Sequence, residues 1–397
     1  MNRLEIEFCG LHLENPFVLA ACPCTDEVEM VRNAFRAGWA GAVLKSTHVE
    51  SLVFEPVSPK LWGYDVEDVK MAGLGNIDLI SQYPVDVIAE RVRELKREFP
   101  EKMVITSVAG DTQENWQGPI RQLIEAGADA IECSCSCPQG HAGLALGQSL
   151  LEYPELTTQM VKWTRAAAAP LPVFIKLAGH LDQISAARTI KAAGGDAVVV
   201  RGQQKAIMGV DLDTWVPNPN VAGKSTYASY TGPVTKPACL WNVAQVAKKV
   251  GIPIIAGGGM ATWRDATEAM LLGAGMIEIA TAAMRNGFRI IDDLKDGCEV
   301  YLEEKGINNI SQLLGQALPN IVTQDELPRD YRVVSTVNRD TCIRDDLCYI
   351  SCRDGGHMAI ELGEDRIPVV DEEKCAGCGL CLAVCPVWDC IILKPKK

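Results

Sequence analysis

Between Phe17 and about Ala282 the chain repeats one unit eight times, a short apolar run followed by a helix-like segment. This is the pattern of strands in a parallel sheet joined by helical crossovers. The runs are 17–21, 41–46, 103–109, 130–136, 173–178, 197–202, 253–258 and 276–282. Several follow an Ala-Gly pair, as at Gly38, Gly127 and Gly194, where glycine can adopt the left-handed turn that stops a helix. Eight units predict a TIM (β/α)8 barrel within an α/β protein. The doubly wound alternative needs a glycine fingerprint after the first strand, and Ala20-Ala21-Cys22-Pro23 supplies none. Residues Leu4 to Phe8 and Leu11 to Leu13 read as a hairpin covering the barrel floor.

The remainder of the chain obeys a different rule. Of 16 cysteines, seven crowd between Cys342 and Cys385, which in a long chain without a secretory signal means metal or redox chemistry before disulfides. The expected organisation is a barrel domain over 1–322, a polar linker over 323–340 and a small α+β ferredoxin-like domain over 341–397. The 397 residues are 48% hydrophobic and carry 38 basic against 51 acidic side chains, a formal charge of -13. That balance argues against nucleic acid or an anionic membrane as partner. No apolar run nears the ~20 residues that span a bilayer, so a cytoplasmic location is expected.

Cys375-x2-Cys378-x2-Cys381-x3-Cys385-Pro386 is the bacterial ferredoxin spacing, in which the fourth thiolate serves a second cluster. Zinc is the alternative, but it usually pairs two Cys-x2-Cys units across a longer gap. Upstream, Cys342, Cys348 and Cys352 occupy the first, third and fourth places of the same run, with Asp345 at the second. Crossed ligation gives Cys342, Cys348 and Cys385 to one iron–sulfur cluster and Cys375, Cys378, Cys381 and Cys352 to a 4Fe-4S cluster. The first therefore has an aspartate ligand, a solvent ligand, or only three irons, and a carboxylate corner should be labile. Cys390 is left over and reads as a small core residue.

In the barrel, Gly257-Gly258-Gly259 after the seventh strand and Ala280-Thr281-Ala282 after the eighth stand where TIM barrels bind phosphate. Lys45 and Lys176 are single charges inside apolar runs near strand ends. Either an anionic ligand or a salt bridge would account for them. Cys133, Cys135 and Cys137 alternate in AIECSCSCP, and Cys137 precedes a glycine-rich loop where a thiol can move a proton. Cys133 and Cys135 read as packed.

Taken in order, Asn15-Pro16-Phe17, Ala34-Phe35-x-Ala37-Gly38-Trp39, Ser58-Pro59, Asn76-Ile77-x-Leu79-Ile80-Ser81, Gly127-Ala128-Asp129-Ala130, Ser136-Cys137-Pro138 and the ferredoxin run resemble one family across nearly the whole chain. It is the dihydropyrimidine dehydrogenases, in the catalytic subunit of the bacterial NAD-dependent enzymes and the matching half of the long eukaryotic ones, related in turn to class 1 dihydroorotate dehydrogenases. The resemblance implies FMN held near Ala20, Ala21, Lys45, Ser46 and Lys176, with its phosphate at Gly232, Gly258, Gly259, Thr281 and Ala282. It implies Cys137 as the acid that protonates one carbon of a C=C bond. It also implies electrons supplied through the clusters by a separate NAD(P)H-oxidising FAD and iron–sulfur subunit or a ferredoxin, in a dimer or heterotetramer.

The departures concern the substrate. Where the family holds the pyrimidine with asparagine amides, this chain is expected to present Thr112, Ser134 and Gly202-Gln203. A uracil edge left unpaired by such changes can lose about 10^4 in specificity. Arg201, ending the sixth strand, would suit a carboxylate. The expectation is an oxidoreductase that reduces, or in reverse forms, an activated C=C bond in a small heterocyclic or carboxylate-bearing compound. A true uracil or thymine enzyme is the alternative, and an electron-transfer subunit without substrate chemistry is the rival from another class.

Overall fold

The computed structural model describes residues 2–49, 55–66, 69–135 and 149–396. It divides the chain into two units, Met1–Asn320 and Ile321–Lys397.

In the first unit eight parallel strands close into a barrel in sequence order. From first to eighth they are Phe17–Leu19, Gly41–Thr47, Met103–Val108, Ala130–Ser134, Val173–Lys176, Ala197–Val200, Ile254–Ala256 and Met276–Ile279. Nearly every residue in them is buried, because one face packs inside the barrel and the other against the helical ring. This is why the runs are continuously apolar instead of alternating. The ring is formed by Val28–Ala37, Val85–Glu98, Gln113–Glu125, Pro154–Ala168, Gln183–Ala193, Lys236–Lys249, Trp263–Leu271 and, after the short helix Thr281–Asn286, Ile290–Glu304. Gly38 and Gly194 end their helices at φ 111° and 95°, the left-handed stops expected of them.

The hairpin Ile6–Phe8/Leu11–Leu13 is antiparallel, and Phe8 packs edge-on against Phe174 with ring centroids 5.8 Å apart. Phe8 also meets Gly275, just before the eighth strand, and so covers the amino-terminal floor. At the opposite mouth stands an element that the eight-unit pattern did not foretell. The excursions after the second and sixth strands contribute Leu61–Val66 and Val69–Asn76, and Gln204–Ala206 and Ala228–Thr231, to a four-stranded antiparallel sheet.

In the second unit Val333–Val337 pairs antiparallel with Ile391–Pro395, and Ile360–Leu362 with Pro368–Val370, beside helices Leu347–Gly355 and Leu380–Val384. This corrects the expected linker over 323–340. Within it Val333–Val337 is a strand whose partner lies near the end of the chain, a pairing too remote to read from local polarity. No helix among the described residues is long and apolar enough to cross a membrane.

Candidate active site and cluster sites

Backbone crowding shapes one side of the barrel mouth. A Cβ added to Gly259, whose φ is 79°, would lie 2.4 Å from the Lys236 backbone N, and one on Gly258 2.7 Å from Gly202 N. Only glycine permits these approaches, and the result is a cleft lobe of about 570 Å³. Gly232, Gly258, Gly259, Ala20, Thr281 and Ala282 line it. A second lobe of about 940 Å³ is lined by Lys45, Ser46, Asn76, Ser134 and Ser229. Ala21, Lys176, Arg201, Gln203, Thr231 and Thr281 belong to both, so the lobes are one continuous cleft at the carboxyl ends of the strands. All ten positions expected to hold FMN thus face one space, as do Ser134, Arg201 and Gln203.

Thr112 does not. It is exposed, and its hydroxyl accepts from the Asn115 backbone N–H at 3.2 Å as the N-cap of helix Gln113–Glu125. Asn76 and Asp78, carried in by the mouth sheet and the turn after it, line the cleft instead. Among the described residues the cleft holds two amides, Asn76 and Gln203. The Gln203 Nε2 donates to Ser229 Oγ at 3.3 Å, while its buried Oε1 has no partner among the described residues and can accept from a ligand N–H. Cys137 lies outside the described residues.

The two lysines are not single charges. Lys45 Nζ meets Asp78 at 2.8 Å and Asp26 at 3.5 Å. Lys176 Nζ lies 3.0 Å from both Glu132 oxygens and 2.9 Å from Glu278 Oε2. Salt bridges account for both, and their anions come from other strands and loops where a run-by-run reading cannot find them. Glu132 and Glu278 gave the same signal as the lysines, a charge inside an apolar run, and sequence reasoning passed over them. Burial, then repulsion from Glu132, pushes the Glu278 carboxyl up to about 8, Lys176 only partly offsetting this. Burial alone would lower the Lys176 ammonium, but Glu132 and Glu278 together hold it above the ordinary lysine value. Glu278 therefore keeps its proton at neutral pH beside the Lys176 ammonium.

Strand parity sorts the fourth strand. Glu132 and Ser134 point to the barrel interior and mouth, while buried Cys133 faces Thr164 on the outer ring, where burial raises its thiol to about 12. Cys133 and Cys135 are packed residues, as expected.

In the second unit Cys352, Cys375, Cys378 and Cys381 line one cavity of about 360 Å³. These are the four ligands that crossed ligation assigns to one cluster, and three of them belong to the later run. Cys342, Cys348 and Cys385 pack in the same small core but do not line that cavity.

Comparison with known proteins agrees with both units. Residues 3–302 match the dihydroorotate dehydrogenase model, and residues 335–393 match the 4Fe-4S dicluster domain. The chain is 35% identical over 99% of its length to the NAD-dependent dihydropyrimidine dehydrogenase subunit PreA of Escherichia coli K12, covering 96% of that protein. It is 26% identical to the chloroplastic dihydropyrimidine dehydrogenase (NADP(+)) of Arabidopsis thaliana, over 82% of this chain and 79% of the relative. It is 31% identical to the dihydroorotate dehydrogenase B (NAD(+)) catalytic subunit of Pyrococcus abyssi, over 79% and 99%. The dicluster match excludes the zinc alternative for the cysteine runs. A barrel closed in sequence order, a glycine-walled cleft at its mouth and, later in the chain, paired cysteine runs therefore carry one conclusion: the chain belongs to the dihydroorotate dehydrogenase family, with a 4Fe-4S dicluster domain following, and is an oxidoreductase acting on CH–CH groups with flavin and iron–sulfur.

Proposed function

We propose that the protein reduces, or in reverse forms, an activated C=C bond in a small heterocyclic or carboxylate-bearing compound. The observation that carries this reading is the continuity of the cleft, which joins a glycine-walled lobe to a lobe furnished with Ser134, Arg201, Gln203 and Asn76. FMN bound there would supply two-electron hydride chemistry.

The chain's own residues do the rest. The backbone N–H groups around Gly258 and Gly259 receive a phosphate without a cation, and Ala20, Ala21, Gly232, Thr281 and Ala282 complete that lobe. Lys176, fixed by Glu132 and Glu278, and Lys45, fixed by Asp78, present their ammonium groups to the cleft without moving. Arg201 binds the substrate carboxylate, and Gln203 Oε1 accepts from a ring N–H. Cys137 gives its thiol proton to the substrate carbon that does not receive hydride, or takes it in the reverse direction. Cys342, Cys348 and Cys385, with Asp345 at the vacant place, serve one cluster, and Cys375, Cys378, Cys381 and Cys352 the other. The second unit so connects the barrel to a nicotinamide-oxidising flavoprotein subunit or a ferredoxin.

A uracil or thymine enzyme is the second reading. It is favoured by one observation, the two amides Asn76 and Gln203 in the cleft, since Gln203 Oε1 can accept from an imide N–H and the Asn76 amide N–H, its oxygen being held by the Asp78 backbone, can donate to an imide carbonyl. The test is anaerobic. Chemically reduced protein of known flavin content is mixed with uracil, thymine and a panel of unsaturated ring acids, and flavin reoxidation is followed. Rapid reoxidation by ring acids and inertness to pyrimidines supports the carboxylate reading, whereas rapid reoxidation by uracil replaces it with the pyrimidine one. Cys137→Ala should abolish turnover while flavin stays bound; turnover at the original rate would mean a relay with no substrate chemistry.

A further inference from the structure

Arg201 stands one residue beyond the sixth strand, Ala197–Val200. The barrel ladder reaches that strand's end through the Leu177 N–H on Val199 O at 3.0 Å and the Gly257 N–H on Val200 O at 2.9 Å. The peptide groups of Arg201 then need other partners, because backbone N–H and C=O groups inside a fold are seldom left unpaired. Two side-chain amides supply them. Gln183, the first residue of helix Gln183–Ala193, donates from Nε2 to Arg201 O at 2.7 Å and accepts the Arg201 N–H on Oε1 at 3.1 Å. Asn242, in helix Lys236–Lys249, donates from Nδ2 to the same carbonyl at 2.9 Å. A backbone N–H only donates and a carbonyl only accepts, so the Gln183 amide is locked in this orientation.

Both amides are buried, at 2% exposure for Gln183 and 7% for Asn242. Burying an amide is unfavourable unless its polar atoms are paired, and these two side chains, from different helices, converge on one residue's peptide groups. The chain beyond that residue is held as well. A Cβ on Gly202 would lie 2.2 Å from Thr235 O and 2.8 Å from Cys239 N, so only glycine fits. The residue so fixed is the one whose side chain lines both lobes of the cleft. Gln183 and Asn242 are not among the residues lining either lobe. A guanidinium on a long flexible stem meets a carboxylate in a defined geometry only if its backbone origin is fixed.

We propose that Gln183 and Asn242 are positioning residues for ligand recognition, fixing the peptide from which the Arg201 guanidinium reaches a ligand carboxylate. This rests on the carboxylate role given to Arg201 above. Each amide acts through Arg201 and touches no ligand itself.

The experiment measures binding of orotate, which is uracil carrying a carboxylate, and of uracil to full-length protein with oxidised flavin, read from the flavin absorbance. Gln183→Met keeps the length of the side chain and removes its hydrogen bonds; Asn242→Ala is the second variant. Each should retain flavin, weaken orotate roughly 10-fold and leave uracil unchanged. Combined with Arg201→Ala, neither should weaken orotate beyond Arg201→Ala alone, because a residue that acts through another has no effect once that one is gone. Uracil weakened as much as orotate, or a further loss in the Arg201→Ala background, would make the amides merely structural and overturn the inference. So would wild-type orotate affinity in both variants while Arg201→Ala alone weakens it. If one variant loses its flavin the other decides, and loss in both overturns the inference. Wild-type protein that binds orotate no better than uracil, or Arg201→Ala that binds it as wild type does, would instead overturn the carboxylate role of Arg201, and this inference with it.

Discussion

Glu278 is the residue whose environment makes the sharpest prediction. Its carboxyl holds a proton up to about pH 8 in the folded barrel, whereas in the unfolded chain it titrates near ~4.3. Between those values the native state binds more protons than the unfolded state, so stability falls as pH rises through the window. Glu278→Gln keeps the shape and removes the titration. The Tm gap between this variant and wild type should be small near pH 5 and widen in the variant's favour by pH 8.5, and parallel melting curves across that range would show that Glu278 is ionised at neutral pH. Arg201 makes a second prediction. Losing a charged hydrogen bond to a substrate carboxylate costs about 1.5–3 kcal/mol, so Arg201→Ala should raise KM for a ring acid roughly 10- to 100-fold and leave a neutral pyrimidine unaffected. An unchanged KM would remove Arg201 from the site.

Among the elements, the loop after the seventh strand is tightly specified by backbone. Gly259→Ala combines a φ of 79° with a Cβ 2.4 Å from Lys236 N, so it must displace the entry to helix Lys236–Lys249. Gly10→Ala, at φ 81° with nothing within 4 Å, bears only the left-handed strain, about 1 kcal/mol. Purified Gly259→Ala should lose most of its flavin while Gly10→Ala keeps it; equal flavin content in both would deny the loop a role in the cradle. Of these elements, the barrel strands were legible because each is a continuous apolar run. The mouth sheet was not, because its strands such as Leu61–Val66 are largely exposed and carry no clean alternation. With it went the placing of Asn76, which the sequence offered only as part of a family match, in the cleft. Thr112 misled for a simpler reason: a threonine before a helix caps it, and the cap uses the hydroxyl that a substrate would need.

At the scale of the molecule, the two units differ in how much of themselves lies close together in sequence. The second unit closes only when Val333–Val337 pairs with Ile391–Pro395. A fragment beginning at residue 321 should therefore assemble iron and sulfide, and one beginning at 341 should not; equal loading would show that the strand is dispensable. The sequence by itself determined the barrel, the ferredoxin spacing, the glycine cradle and the family, because each is written in local period or short-range spacing. Tertiary structure decided what neutralises Lys45 and Lys176, which amides reach the cleft and where the second unit begins. Those depend on partners 19 to 102 residues apart for the lysines and on strands from opposite ends of the second unit. Charge and hydrogen-bond complementarity act through space over a few ångströms, and only the closed fold brings such partners that near.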